Sequence, residues 1–272
     1  MKKITILMIL VFSIFSCDDI LKEVPKDRLS EANFYKTVSD GRAAVDAIYG
    51  VLSAGQLFAH QYLLQIEIPA DFAYGRGSTI PIGGEYTGLD AVNQRRVGLM
   101  WDYFYQAVNY ANIAIEKIPG IEGDESAKSL LVAEAKFLRA LCYYHLVRDF
   151  GAVPLRLNST DGDMARTPVA DVYNAVIADL QAAESGLPAS ITVYGRPSKW
   201  GAKIMFAEVY LTLGDWAKAR DKAKEVMDSG DHSLVEITKL NDWDNLFGPT
   251  VNGTSEEIFS IKYNAAYGWS WP

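Results

Sequence analysis

A chain of 272 residues, 49% of them hydrophobic, can bury a sizeable core as one large domain or two small ones. Its formal charge of −8 excludes a nucleic-acid binder: an acidic surface repels phosphate, and the longest basic run, Arg95-Arg96, is too short to line a polyanion groove. Two cysteines exclude a disulfide-stapled fold, so stability must come from packing.

Residues 1–16 have the layout of a secretory signal peptide, with Lys2 and Lys3 ahead of an apolar run over 4–15 and the small Ser16 at its end. The run falls short of the roughly 20 apolar residues that span a bilayer. Cys17 follows directly, so that Ile14-Phe15-Ser16-Cys17 resembles a bacterial lipobox, whose cysteine is acylated and becomes the first residue of the mature chain. Each buried methylene of such a lipid contributes about 0.8 kcal/mol, and one acyl chain holds only marginally, whereas several hold firmly. Phe15 departs from the small residue common at that place. The plain alternative is an ordinary signal peptide with a stray cysteine. Residues 17–38, with Pro25 and several charges, form a leader that tethers the anchor to the body.

The body, 39–255, is helical in pattern. Ser39 or Asp40 can cap a helix carrying Ala43, Ala44, Ala47, Ile48 and Leu52 at helical spacing. Residues 71–96 hold Gly75, Gly77, Gly83, Gly84, Gly88 and Pro81 and form a long irregular loop. Loops beyond about 12–15 residues are uncommon in compact domains and are usually functional or disordered; Tyr74 and Tyr86 argue against plain disorder. Helical spacing returns over 100–118, with Trp101, Phe104, Ala107, Val108, Ala111 and Ile115 on one face and Pro119-Gly120 as the stop. The longest helix starts at Ser126 and is closed by Gly151 and Pro154. Further helices are predicted over 169–185, 198–213 and 215–229, the last two split by Gly214. Ala207, Tyr210, Gly214, Ala219, Ala223 and Val226 match the spacing of a tetratricopeptide unit, in which small residues let two antiparallel helices approach. Ala107, Ala111, Ala114 and Pro119, and more loosely Val176, Leu180, Ala183 and Pro188, match its second half. The fold class is therefore mainly α, a tetratricopeptide-like helical-repeat scaffold with long irregular loops and a short strand near the C-terminus, read from the apolar and aromatic run over 257–263. The chain ends on three large aromatics and a proline, as a fragment would.

No catalytic or cofactor signature stands out. His60, His145 and His232 are far apart and lack metal-ligand spacing; His145, on an apolar helix face, reads as a packed or partner-bonded histidine. Asp161 and Asp163 match only a fragment of a calcium loop and read as turn residues. Cys142, in mid-helix, reads as a buried small hydrophobe. Nucleophile elbows and phosphate loops are absent, so no cofactor is expected. Glu67, Asp71 and Glu85 flank the long loop; a carboxylate pair about 5–10 Å apart could hydrolyse a glycosidic bond, although solvated loop acids are the commoner meaning of such residues.

The segment Phe137-Leu-Arg-Ala-Leu-Cys-Tyr-Tyr-His-Leu-Val-Arg-Asp-Phe-Gly-Ala-Val-Pro-Leu155 resembles a hallmark of the SusD/RagB family of outer-membrane nutrient-binding lipoproteins. Cys17-Asp18-Asp19-Ile20-Leu21 with Pro25, then Trp101 with Tyr105, Ala111 and Asn112, then Glu256-Glu257-Ile258-Phe259 resemble other family segments in the same order. The resemblance implies a tetratricopeptide-like scaffold with a loop-rich ligand-binding part and no catalysis. It also implies a SusC-like TonB-dependent transporter as partner, an oligosaccharide or other nutrient as ligand, and a lipid on Cys17 holding the protein at the outer membrane, exposed at the cell surface. Members are much longer, so residues 256–272 read as the start of a truncated C-terminal ligand-binding part. Asp71, Tyr74, Arg76 and Tyr86 occupy the loop that contributes ligand contacts in some members. Their aromatic rings could stack on pyranose faces and their polar neighbours could bond hydroxyls. Trp269 and Trp271 are further candidates. The alternatives are a lipid-anchored helical-repeat adaptor that binds only protein, and a glycoside hydrolase using Glu67 or Glu85.

Overall fold

The computed structural model describes residues 34–70, 73–75, 85, 88, 90–248 and 251–263. The chain divides into an N-terminal unit, 1–36, and a body from Thr37 onward. Of the first unit only 34–36 are described, a turn in which the Phe34 and Tyr35 rings meet edge-on at 4.9 Å. Cys17 lies outside the described residues.

The body's helices are α1 (Val38–Leu52), α2 (Gln61–Glu67), α3 (Ala91–Lys117), α4 (Glu125–Phe150), α5 (Val169–Gly186), α6 (Lys199–Thr212), α7 (Trp216–Asp228) and the single turn α8 (Asp244–Phe247). Short 3-10 turns cover Ile118–Gly120 and Leu240–Trp243. Helices α1, α4, α6 and α7 each start where a side chain satisfies one of the first orphan N–H groups. Asp124 caps α4 by accepting from Ala127 N at 2.8 Å. Ser198 caps α6 by accepting from Gly201 N at 3.3 Å, and Asp215 caps α7 by accepting from Lys218 N at 3.2 Å. In α1 the cap is Thr37 rather than Ser39 or Asp40. Thr37 is extended (φ −125°, ψ 163°) and its hydroxyl accepts from Asp40 N, while the Asp40 carboxylate accepts from Thr37 N at 2.7 Å. This reciprocal box satisfies two donors at once, which an N-cap at Asp40 could not do.

Successive helices pack on one another: α3 on α4, α4 on α5, α5 on α6 and α6 on α7, with α1 lying against α3 and α4. This is the antiparallel stacking that the tetratricopeptide spacing predicts. Gly214, at φ +78°, makes the turn between α6 and α7, a backbone conformation that costs glycine little. Gly186 sets the approach of α5 to α4: a Cβ there would lie 2.6 Å from the Cβ of Ala133, so only glycine lets the helix end come this close. The core runs through Phe104, Phe137, Leu138, Tyr143, Leu146, Leu180 and Phe206, all essentially without solvent exposure. Helix α4 is buried around most of its circumference, including Glu134 and Arg139.

Two further expectations are corrected. Helix α3 begins at Ala91, nine residues ahead of Met100, so the irregular segment is shorter than 71–96. Residues 257–263 form no ladder with any described residue: a strand needs an adjacent edge, and the described residues offer none there. The segment instead returns across the scaffold, with Phe259 edge-on to Phe137 at 5.0 Å and against Gly201. Ser233 N donates to Ser255 O at 3.0 Å and Ser255 Oγ to Ser233 O at 2.9 Å, pinning its start.

Candidate functional site

The family-like motif over 137–155 is a structural clamp. Arg139 projects from α4 into a buried polar junction. Its Nε and Nη2 donate to the two carboxylate oxygens of Asp179 on α5 at 2.7 and 2.8 Å. Its Nη1 donates to Asn112 Oδ1 on α3 at 2.8 Å and to Leu157 O at 3.0 Å. Asn112 Nδ2 in turn donates to Arg156 O at 3.2 Å. The Tyr143 hydroxyl donates to Arg156 O and accepts from Arg156 N, both at 2.7 Å, and Tyr105 donates to Pro154 O at 2.6 Å. Three helices and the loop after α4 are thus tied by one guanidinium and two phenols. Buried charges persist only when paired and hydrogen-bonded in this way. A second junction centres on Glu134, which accepts from both terminal nitrogens of Arg42 (2.6 and 2.9 Å), from Tyr49 (2.7 Å) and from Arg196 (3.0 Å). It joins α1, α4 and the turn before α6. Burial, reinforced by the Glu134 charge, pushes the Tyr49 phenol upward, so Tyr49 acts as a donor.

A rigid platform carries the base of the long loop. Phe58 and Tyr62 pack edge-on to Phe104 and to His145 at centroid separations of 5.0–5.8 Å, and the Tyr62 hydroxyl lies 2.6 Å from His145 Nδ1. His145 is the partner-bonded histidine expected from the sequence. Burial, with a smaller contribution from Arg148, pushes it down to about 3. Its folded pKa lies below the ordinary value of 6.5, so between about pH 6.5 and 3 the unfolded chain binds the extra proton. The stabilisation is complete above pH 6.5 and is lost as pH falls, by at most about 1.4 kcal/mol per pH unit. Asp149, raised to about 6 by burial but on an exposed position, works weakly the other way. His145→Phe should therefore flatten the acid limb of stability measured by urea unfolding between pH 4 and 7; an unchanged slope would rule His145 out as its source.

Beyond α2 the chain leaves this platform at Ile68, which is buried, and Tyr74 projects into solvent at 74% exposure. Tyr74 is the one predicted ligand residue that the structure places. Asp71, Arg76, Tyr86, Trp269 and Trp271 lie outside the described residues. Glu67, at the end of α2, and Glu85 are both exposed. Asp161 is the turn residue the sequence suggests: it accepts from Leu157 N and Asn158 N at 2.8 and 2.9 Å, bonds that hold its carboxyl below the usual range. Asp163 points to solvent, 3.6 Å from Arg156. Among the described residues no three His, Cys, Asp or Glu side chains gather as a metal site. Cys142 is a free, fully buried thiol. No helix among the described residues is long and apolar enough to cross a membrane.

The helical stack has clear relatives. Residues 83–211 match the SusD-like family model described as starch-binding and associating with the outer membrane. A SusD-like protein of Formosa agariphila is 32% identical over 272 residues, which is 97% of this chain and 53% of that protein. The chain belongs to the SusD-like family. The SusD-like fold is also seen in a laminarin-binding SusD-like protein (26% identity, TM-score 0.70, 83% of this chain and 51% of that one). A SusD superfamily protein of Bacteroides thetaiotaomicron agrees similarly (25% identity, TM-score 0.67, 82% of this chain and 52% of that one). The chain spans about half the length of the curated SusD-like relatives it matches. Within this SusD-like scaffold, sequence reading missed Glu134 and Arg139 as organising residues. Their only local signal was a charged side chain on an otherwise apolar helix face.

Proposed function

We propose that this chain is the scaffold part of a non-catalytic, lipid-anchored outer-membrane protein that captures glycans and passes them to a SusC-like TonB-dependent transporter. The observation that carries the reading is the match to a starch-binding, outer-membrane-associated family over the helical stack, joined to an exposed aromatic, Tyr74, at the root of the long loop. The laminarin-binding relative supports the ligand class. Binding would come from stacking of sugar rings on Tyr74 and, in the same loop, Tyr86, with Asp71 and Arg76 bonding hydroxyls; aromatic faces and fixed polar groups are the usual means of holding a polyhydroxylated ring. Trp269 and Trp271 would add to the surface from the segment beginning at 256. Cys17 would hold the protein at the membrane, with the leader over 17–38 as tether.

Electrophoresis of the purified full chain through native gels containing laminarin or starch tests this reading, with a parallel assay for reducing ends. Retardation without release of reducing ends is the expected result. Release of reducing ends would favour a hydrolase using Glu67 or Glu85. Unchanged mobility in every polysaccharide would favour an adaptor that binds only protein.

A further inference from the structure

One open cleft well separated in sequence from the long loop combines a fixed aromatic with an underused carboxylate. It lies between α1, the turn over 193–196 and the returning segment at 261–262, with a volume of ≈ 220 Å³. Its floor is the Glu134 junction. Arg196 donates to Glu134 at 3.0 Å, pairs with Asp46 at 2.7 Å and lies 4.8 Å over the Tyr49 ring. Arg42 also reaches Asp46, at 2.8 Å. Both guanidinium contacts fall on Oδ1 of Asp46, and the side chain is 45% exposed, so Oδ2 can accept from an outside donor. The Ser53 hydroxyl stands at the same rim, donating to Gly50 O at 3.3 Å.

Tyr194 forms the other wall. It is 58% exposed, yet its ring is held. A Cβ on Gly253 would come within 2.2 Å of Cε1, so the ring lies directly on that glycine, and Lys262 Nζ sits 6.0 Å from the ring centroid. An aromatic that is exposed but fixed binds at low conformational cost. The charges narrow the ligand. Arg196 is paired with Asp46 and Glu134, and Lys262 with Glu257 at 2.5 Å. An anion would have to displace a carboxylate, whereas a neutral hydroxyl needs only the open oxygen of Asp46. The volume is below the roughly 300–1,000 Å³ of drug-sized sites, which limits the occupant to about one ring.

From this geometry we infer that the cleft is a second ligand site, which takes a single neutral pyranose against Tyr194 with a hydroxyl donated to Asp46. The ligand class rests on the glycan-capture reading; the location does not. The test is an amide NMR titration of the full chain with the methyl glycosides of glucose, galactose, mannose and xylose at millimolar concentration. Saturable shifts at residues 46, 53 and 194–196 are expected with at least one of them. Tyr194→Ala should weaken that binding about tenfold, equivalent to ~1.4 kcal/mol, with an unchanged melting temperature, and Tyr194→Trp should retain it. Tyr74→Ala should leave these shifts in place. Shifts confined to the neighbourhood of Tyr74 would uphold glycan capture and overturn the second site. Shifts at the cleft alone would establish the site and count against the loop. The absence of cleft shifts with all four glycosides, or their persistence unweakened in Tyr194→Ala, would overturn the proposal.

Discussion

Arg139→Ala is expected to lower the unfolding free energy by about 3–5 kcal/mol, the cost of breaking a buried ion pair and leaving one charge behind. The Arg139 and Asp179 side chains are only 8% and 9% exposed, so water cannot replace the lost bonds. Asp179 would be left as an unpaired buried carboxylate, and Asn112 Oδ1 and Leu157 O would lose their donor. A double-mutant cycle separates these effects. Asp179→Leu added to Arg139→Met removes both charges and should recover part of the loss, because apolar replacement of a whole buried pair is often neutral. Recovery should stay incomplete, since the two carbonyl oxygens remain without Arg139. Urea unfolding of the single and double variants provides the check. A cost for Arg139→Ala below about 1 kcal/mol, the range of an exposed ion pair, would mean that the junction does not hold the helices together.

Glu134→Ala should be the second most costly change, at about 2–3 kcal/mol, from the range for losing hydrogen bonds to a charged group. The penalty is smaller than at Arg139 because the abandoned partners are not equally trapped. Arg42 and Arg196 are 31% and 28% exposed and both keep Asp46, so solvent and one carboxylate still serve them. Tyr49 is the exception, since its hydroxyl has Glu134 as its partner. Tyr49→Phe should therefore relieve part of the cost in the Glu134→Ala background while costing about 1 kcal/mol alone. The check is the coupling energy between the two substitutions in thermal unfolding; strict additivity would place Tyr49 outside the junction.

Both junctions show where sequence reading stops. Helical periodicity revealed α4, α5, α6 and α7 and the turn at Gly214, because apolar side chains at 3.6-residue spacing report a buried face directly. The start of α1 was misplaced because Thr37, Ser39 and Asp40 are all capping residue types, and only the reciprocal bond between Thr37 and Asp40 selects among them. The first turns of α3 look like loop in the sequence because Asn93, Arg95, Arg96 and Gly98 lack an apolar stripe. Arg139 and Glu134 carry charges that in most helices face water. Their burial is set by partners at 112 and 179, and at 42, 49 and 196, positions that no local window connects. The expectation of a strand over 257–263 used the right composition, but pairing depends on a neighbouring edge. For the ligand surface, exposed Tyr74 was legible as an aromatic in a glycine-rich loop, whereas the Tyr194 cleft was not: it joins three segments, at 46–53, 193–196 and 261–262, that lie far apart in sequence, and it has no motif.

The central claim, that an exposed aromatic on a rigid helical scaffold captures glycan, is tested most directly by the mobility of wild-type chain and Tyr74→Ala in a native gel containing laminarin. The expected result is retardation of the wild type that is reduced in Tyr74→Ala, with both proteins unfolding at the same temperature. Wild-type mobility unchanged by laminarin and by starch, or retardation unaffected by removing Tyr74, would contradict it.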